Sequence, residues 1–253
     1  MKVLNLRVRY FQDSTPPGVP CREENFARRE IHMPLPLDQT GLVLVDMWDN
    51  HFIESWLERA ERVTREAVVP VLEAARATGL TIVHAPSPTV AEKFPQLRRH
   101  RPPAPQAEPD WPPAVFRRRE GEYAAFRGPR HQPPGIRAIP ELGMSPYVRV
   151  QEGEFVIATG EQLHELCREK GLVHLLYAGF ATNWCILNRD YAMRAFARRG
   201  YNVILLRQAT TGVEFPDTLE SCFTTEMAIR EIEQQLGFSA SSQDFFQACQ
   251  GLR

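Results

Sequence analysis

Two side chains stand where a chain would put them to do chemistry. Cys185 lies in "YAGFATNWCILNRDYAMRAF", Tyr177 to Phe196, where an apolar run stops at Gly179, turns through Ala-Thr-Asn-Trp and enters a helical pattern. Asp46 closes another apolar run, "TGLVLVD", Thr40 to Asp46. A cysteine in the first turn of a helix faces unpaired backbone N–H groups and the positive end of the helix dipole, and both favour thiolate over thiol. At an unperturbed pKa only ~3% of a cysteine is thiolate at pH 7, so such a placement is expected to make a nucleophile. The same N–H groups could hold the oxyanion formed when sulfur attacks a carbonyl. Asp46 could accept the thiol proton and return it to a leaving group. The plain alternatives are a small buried hydrophobe for Cys185 and a strand-end cap for Asp46.

Chemistry shared by two distant residues needs a frame that brings their strand ends together. Three segments share one pattern: "VVPVLEAARATGLTIVHA", "GEQLHELCREKGLVHLLYAGF" and "DYAMRAFARRGYNVILLRQAT". Each has apolar residues at helical spacing, polar or basic residues in the last turn, a glycine, and then a short apolar run. Glycine ends a helix in the left-handed conformation, and cations there suit the dipole. The runs that follow are too short for helices and suit a sheet covered on both faces. Helix–strand alternation of this kind predicts βαβ units. The expected fold is α/β, a three-layer αβα sandwich around a mostly parallel sheet. Ligands in such sheets bind beyond the carboxyl ends of the strands, where Asp46 and Cys185 both emerge.

Two regions break the pattern. Residues 1–39, with a strand-like "VLNLRVRYF" and a proline-rich stretch, read as an extension packed on a domain spanning 40–253. Residues 86–146 hold "RPPAPQAEPDWPP" and "RGPRHQPPG", and proline at that density prevents regular structure. An insertion this long is expected to be a lid, a binding element, an oligomer contact or a mobile linker.

The 253 residues are 43% hydrophobic and 24% charged, with formal net charge -1. That balance gives no general attraction to nucleic acid or anionic membrane, and the arginines are scattered. Five cysteines without a CxxC pair argue against a disulfide framework and a structural zinc site. No stretch reads as a signal peptide or a membrane span, so the cytoplasm is the default. A nucleotide-binding Rossmann enzyme is disfavoured, because neither GxGxxG nor GxxxxGK[ST] occurs.

From about Thr40 to Phe245, with the proline-rich stretch as an insertion, the chain resembles the isochorismatase-like cysteine hydrolases, a family that includes nicotinamidases and N-carbamoyl amide hydrolases. "LVLVDMWDNHF" is similar to the family's first strand, which ends in the catalytic aspartate. "YAGFATNWCILNRDYAMRAFARRGYNVILLRQATTG" is similar to the nucleophile segment, G-x-x-T-x-x-C. The resemblance implies a parallel sheet of about six strands with helices on both faces, Cys185 as nucleophile and Asp46 as general base. It implies an oxyanion hole from the N–H groups of Ala181 and Cys185, and a cis bond at Phe180–Ala181. It implies cleavage of a C–N bond in a small amide or ureide through a thioester, by a homo-oligomer, dimer or tetramer; no cofactor is expected. Trp48, His51 and Trp184 are expected to shape the substrate pocket.

Two departures stand out. The family's third catalytic residue is a lysine upstream of the nucleophile, where this chain reads "YVRVQEGEFVIATGEQL" and has none. Arg149 is the best positional match. Either it supplies charge only, or Lys93 reaches in from the insertion, or the triad is broken and the chain is a binding or scaffolding protein on the same fold. Arginine holds a thiolate but does not readily shuttle a proton. The second departure is "DMWDNHF" where relatives read D-x-Q-x-D-F. Asp49, His51 and His84 are the nearby candidates for a metal and make no complete ligand set, so no metal is expected.

Overall fold

The protein is described by a computed structural model covering residues 2–97, 110–117, 120–127 and 141–252. Within the proline-rich insertion, 98–109, 118–119 and 128–140 lie outside the described residues. The strands are β1 (Val3–Gln12), β2 (Ala27–Pro36), β3 (Thr40–Val45), β4 (Thr81–Ala85), β5 (Phe155–Val156), β6 (His174–Phe180), β7 (Asn202–Thr211) and β8 (Phe238–Ala240). The helices are α1 (Glu54–Val63), α2 (Val69–Thr78), α3 (Pro88–Ala91), α4 (Ala114–Arg117), α5 (Gly160–Lys170), α6 (Cys185–Asn188), α7 (Met193–Arg198), α8 (Phe223–Glu231) and α9 (Ser242–Gln250). Helices α1 and α2 run on through one π-helical stretch, Thr64–Val68.

The strands form one sheet in the order β2-β1-β8-β7-β6-β3-β4-β5. From β8 to β5 the pairing is parallel throughout, which gives the six-stranded core that the resemblance implies. The sheet has eight strands among the described residues, not about six. The other two are the β1–β2 hairpin, which joins β8 antiparallel through the pair Arg9 and Ser239. Alternation along β1 buries Leu4, Leu6 and Val8 in the core, so the N-terminal segment extends the sheet itself.

Every residue of β3 is buried, as is β6 after His174, because helices cover both faces. One core holds Leu42, Leu44, Trp56, Leu72 and Phe245; the other holds Val43, Tyr177, Tyr191, Phe196 and Ile229. Burying such side chains contributes roughly 1.5–3 kcal/mol each. Helices α2 and α5 end on left-handed Gly79 and Gly171, as their sequences predict. No helix among the described residues is long and apolar enough to cross a membrane.

The topology fixes where a ligand would go. From β3 the chain winds outward through β4 to β5, and from β6 outward the other way through β7 to β8. The order therefore reverses between β3 and β6, which pair with Val45 opposite Gly179. Open parallel sheets hold their ligands in the crevice at such a reversal. Asp46 follows Val45 there, and the turn leading to Cys185 follows β6.

Candidate active site

The β3 end is bent by its own backbone. Asp46 has φ 43, left-handed and rare outside glycine, asparagine and aspartate. Its N–H donates to Ala85 O at 3.0 Å, and its carbonyl accepts from Trp48 N at 2.8 Å. The carboxylate is fully buried and pinned on both oxygens. Ser87 Oγ donates to Oδ1 at 2.8 Å, and Arg189 Nε donates to Oδ2 at 3.0 Å. A second Arg189 nitrogen donates to Ser87 Oγ at 2.9 Å, and Trp48 Nε1 donates to the same oxygen at 3.1 Å. Burial raises the Asp46 pKa above the ordinary carboxylate value, while the Arg189 charge and the hydrogen bonds oppose that rise.

The β6 end is shaped by close approach. Gly179 has φ 111, and a Cβ there would lie 2.1 Å from the Val45 carbonyl oxygen, so only glycine lets β6 pass β3 at the crevice. The Phe180–Ala181 peptide is cis. Helix α6 is a single turn: the N–H groups of Trp184 and Ile186 donate to Ala181 O, and Arg189 N donates to Cys185 O. The N–H groups of Ala181 and Cys185 have no oxygen acceptor among the described residues, and that of Ala181 points at the Cys185 sulfur. Asn183 clips the turn to the end of β7: its Oδ1 accepts from Val213 N, and its Nδ2 donates to Val213 O, both at 2.9 Å.

The Cys185 thiol faces the Asp46 carboxylate closely enough for the two groups to influence each other's titration. Its electrostatics differ from the sequence expectation. Burial and the Asp46 charge push the thiol up to about 12, against the pull of Arg189 and the Ala181 N–H. A four-residue helix carries little dipole, and an adjacent carboxylate outweighs it. The resting group is therefore a neutral thiol poised to give its proton to Asp46, rather than a free thiolate.

Arg149 is exposed, its guanidinium has no partner among the described residues, and its carbonyl accepts from Arg76 at 2.6 Å. The segment alternates, with Val148 buried and Arg149 turned out. Lys93 pairs with Glu141 and Leu142 O at the surface. The cation that meets Asp46 is Arg189, which the sequence reading passed over. Its signal was spacing: four residues after Cys185, it rises on the same side of one helical turn.

Trp48 and His51 are buried and stacked, with ring centroids 5.3 Å apart. His51 also stacks on Phe52 at 4.5 Å and lies 6.3 Å from Trp184, which is 39% exposed. Burial holds the His51 imidazole down at about 4, so it is neutral at pH 7, and its Nδ1 accepts from Ile53 N. The three residues considered for a metal go separate ways. Asp49 accepts from Gly143 N, His51 belongs to the aromatic stack, and His84 Nε2 meets Glu154 Oε2 at 2.7 Å.

Comparison with known proteins follows the same lines. Residues 40–238 match the family model described as isochorismatase domain. No curated protein matches the chain. A crystal structure of a cysteine hydrolase from Pseudomonas syringae pv. phaseolicola 1448A superposes with a TM-score of 0.59 at 14% identity, over 88% of this chain and 98% of that one. An isochorismatase family protein from Burkholderia thailandensis superposes with a TM-score of 0.50 at 16% identity, over 84% and 96%. At such identities the superpositions speak for the fold, and the domain match speaks for kinship. The chain belongs to the isochorismatase family.

Proposed function

We propose that the protein is a cysteine hydrolase that cleaves a C–N bond in a small amide or ureide. The observation that carries this reading is the placement of the Cys185 thiol against the Asp46 carboxylate, beside two N–H groups without an oxygen acceptor among the described residues. The sulfur attacks the carbonyl carbon as its proton passes to Asp46. The developing oxyanion is held by the Ala181 and Cys185 N–H groups. The C–N bond breaks, the leaving nitrogen takes the proton from Asp46, and a thioester remains on Cys185. Water then gives a proton to Asp46 and attacks the thioester. The C–S bond breaks, and the proton returns to sulfur.

Trp48, His51 and Trp184 line the approach. An aromatic wall with a neutral imidazole suits a flat, uncharged substituent beside the scissile amide. In the same reading the protein works in the cytoplasm as a homo-oligomer on a small molecule, without nucleic acid or membrane. The alternative, a binding or scaffolding protein, was motivated by the missing lysine, and a cation standing on Asp46 weakens that motive.

Turnover is tested with a panel of small primary amides and N-carbamoyl compounds, reading ammonia release. The expected result is hydrolysis of at least one member by the unmodified protein and none by Cys185→Ala. Hydrolysis that survives in Cys185→Ala would overturn the reading.

A further inference from the structure

Resting on that reading, we infer that Arg189, delivered by the nucleophile's own helical turn, sets the charge of the thiol–carboxylate pair in place of a lysine from a separate segment. Cys185 and Arg189 are four residues apart, and the backbone bond from Arg189 N to Cys185 O closes that turn at 3.2 Å. The guanidinium then reaches across the crevice to the strand end, with Nε on Asp46 Oδ2 and a second nitrogen on Ser87 Oγ. Ser87 itself donates to Asp46 Oδ1, so one cation and one hydroxyl lock both carboxylate oxygens. The Arg189 side chain is 33% exposed and Asp46 fully buried, so the cation reaches toward solvent and the carboxylate does not.

This arrangement has chemical consequences. Arginine stays charged across the working pH range, so it stabilises negative charge on the pair without lending a proton. The mobile proton is then shared by Cys185 and Asp46 alone. Arg189 acts through Asp46 as a positioning residue, and its field favours negative charge wherever that proton leaves it. The titratable groups facing the sulfur are Asp46 just past β3, Arg189 at the C-terminal cap of α6, and Tyr191, whose hydroxyl donates to Pro86 O. Asp190, next in line, is engaged with Gly160 N. Neither Tyr191 nor Asp190 supplies a positive charge, so Arg189 is the cation in this group.

The test reads the sulfur directly. Alkylation of Cys185 by iodoacetamide is followed from pH 7 to 10 by peptide mass spectrometry, with exposed Cys21 as internal reference. The variants are Arg189→Gln and Arg189→Lys. Both can hydrogen-bond to Asp46 and Ser87, and only lysine keeps the charge. We expect Arg189→Gln to slow Cys185 labelling by ~10-fold or more, equivalent to one pKa unit, with Cys21 unchanged. Arg189→Lys should stay within about threefold of the unmodified protein. A thermal melt of each variant checks that the fold is kept. Equal or faster labelling of Cys185 in a folded Arg189→Gln protein would overturn the inference, as would a lysine variant as slow as the glutamine one. No substrate is needed, so the Arg189 assignment can stand if every amide fails, and can fall while amide hydrolysis stands.

Discussion

At the scale of single residues, the account turns on where one proton sits. Asp46 is buried beside a cation, and Cys185 is half-buried beside an anion. The thiol therefore keeps its proton until a carbonyl is at hand, and the carboxylate must be ionised to take it. Activity is lost as pH falls through the Asp46 pKa, which lies above the ordinary ~3.9 because of burial. No loss is expected between pH 7 and 10, since the thiol titrates at about 12. A profile of kcat/KM against pH on an active substrate should show the acid limb and then a plateau, with Asp46→Asn lower by ~100-fold or more throughout. An alkaline limb near the ordinary cysteine pKa would contradict it. Asp46 and Cys185 were legible in the sequence because each follows a buried strand, where a polar residue must leave the sheet. Arg149 was misread because position along a segment says nothing about which way an extended side chain turns. The neighbouring Val148 takes the inward place.

At the scale of elements, the site depends on how closely β3 and β6 run at the reversal of the sheet. Alternating helix and strand signals made the parallel core legible, with the left-handed glycines marking the helix ends. The approach at Gly179 was not legible, because it depends on the partner strand's carbonyl. A methyl group at Gly179 would meet the Val45 backbone, which cannot swing aside as a flexible side chain would. Gly179→Ala is expected to destabilise the protein by ~3 kcal/mol, since the overlap comes on top of a positive φ. Urea denaturation measures this. A change under ~0.5 kcal/mol would mean that the two strands separate freely there, and the geometry joining Asp46 to Cys185 would lose its support.

At the scale of the whole molecule, the hairpin at residues 3–36 is part of the sheet that carries the site. "VLNLRVRYF" reads as a strand from its alternation, yet its destination is fixed by partners more than two hundred residues away. Arg9 and Arg28 reach the fully buried Glu233 side chain at 2.6 and 3.1 Å, and Arg7 reaches Asp244 at 2.8 Å. Long-range ion pairs leave no local trace, so the sequence marks this segment as strand-like but does not place it in the sheet. All of this architecture serves one covalent event at one sulfur. Intact-protein mass spectrometry, after acid quenching during turnover of an amide that carries a slow-leaving acyl group, tests that event directly. The account predicts a mass increase equal to the acyl group, mapped to Cys185 and discharged by hydroxylamine. Steady turnover with an unmodified Cys185, in a protein whose Cys185→Ala variant works as well, would contradict it.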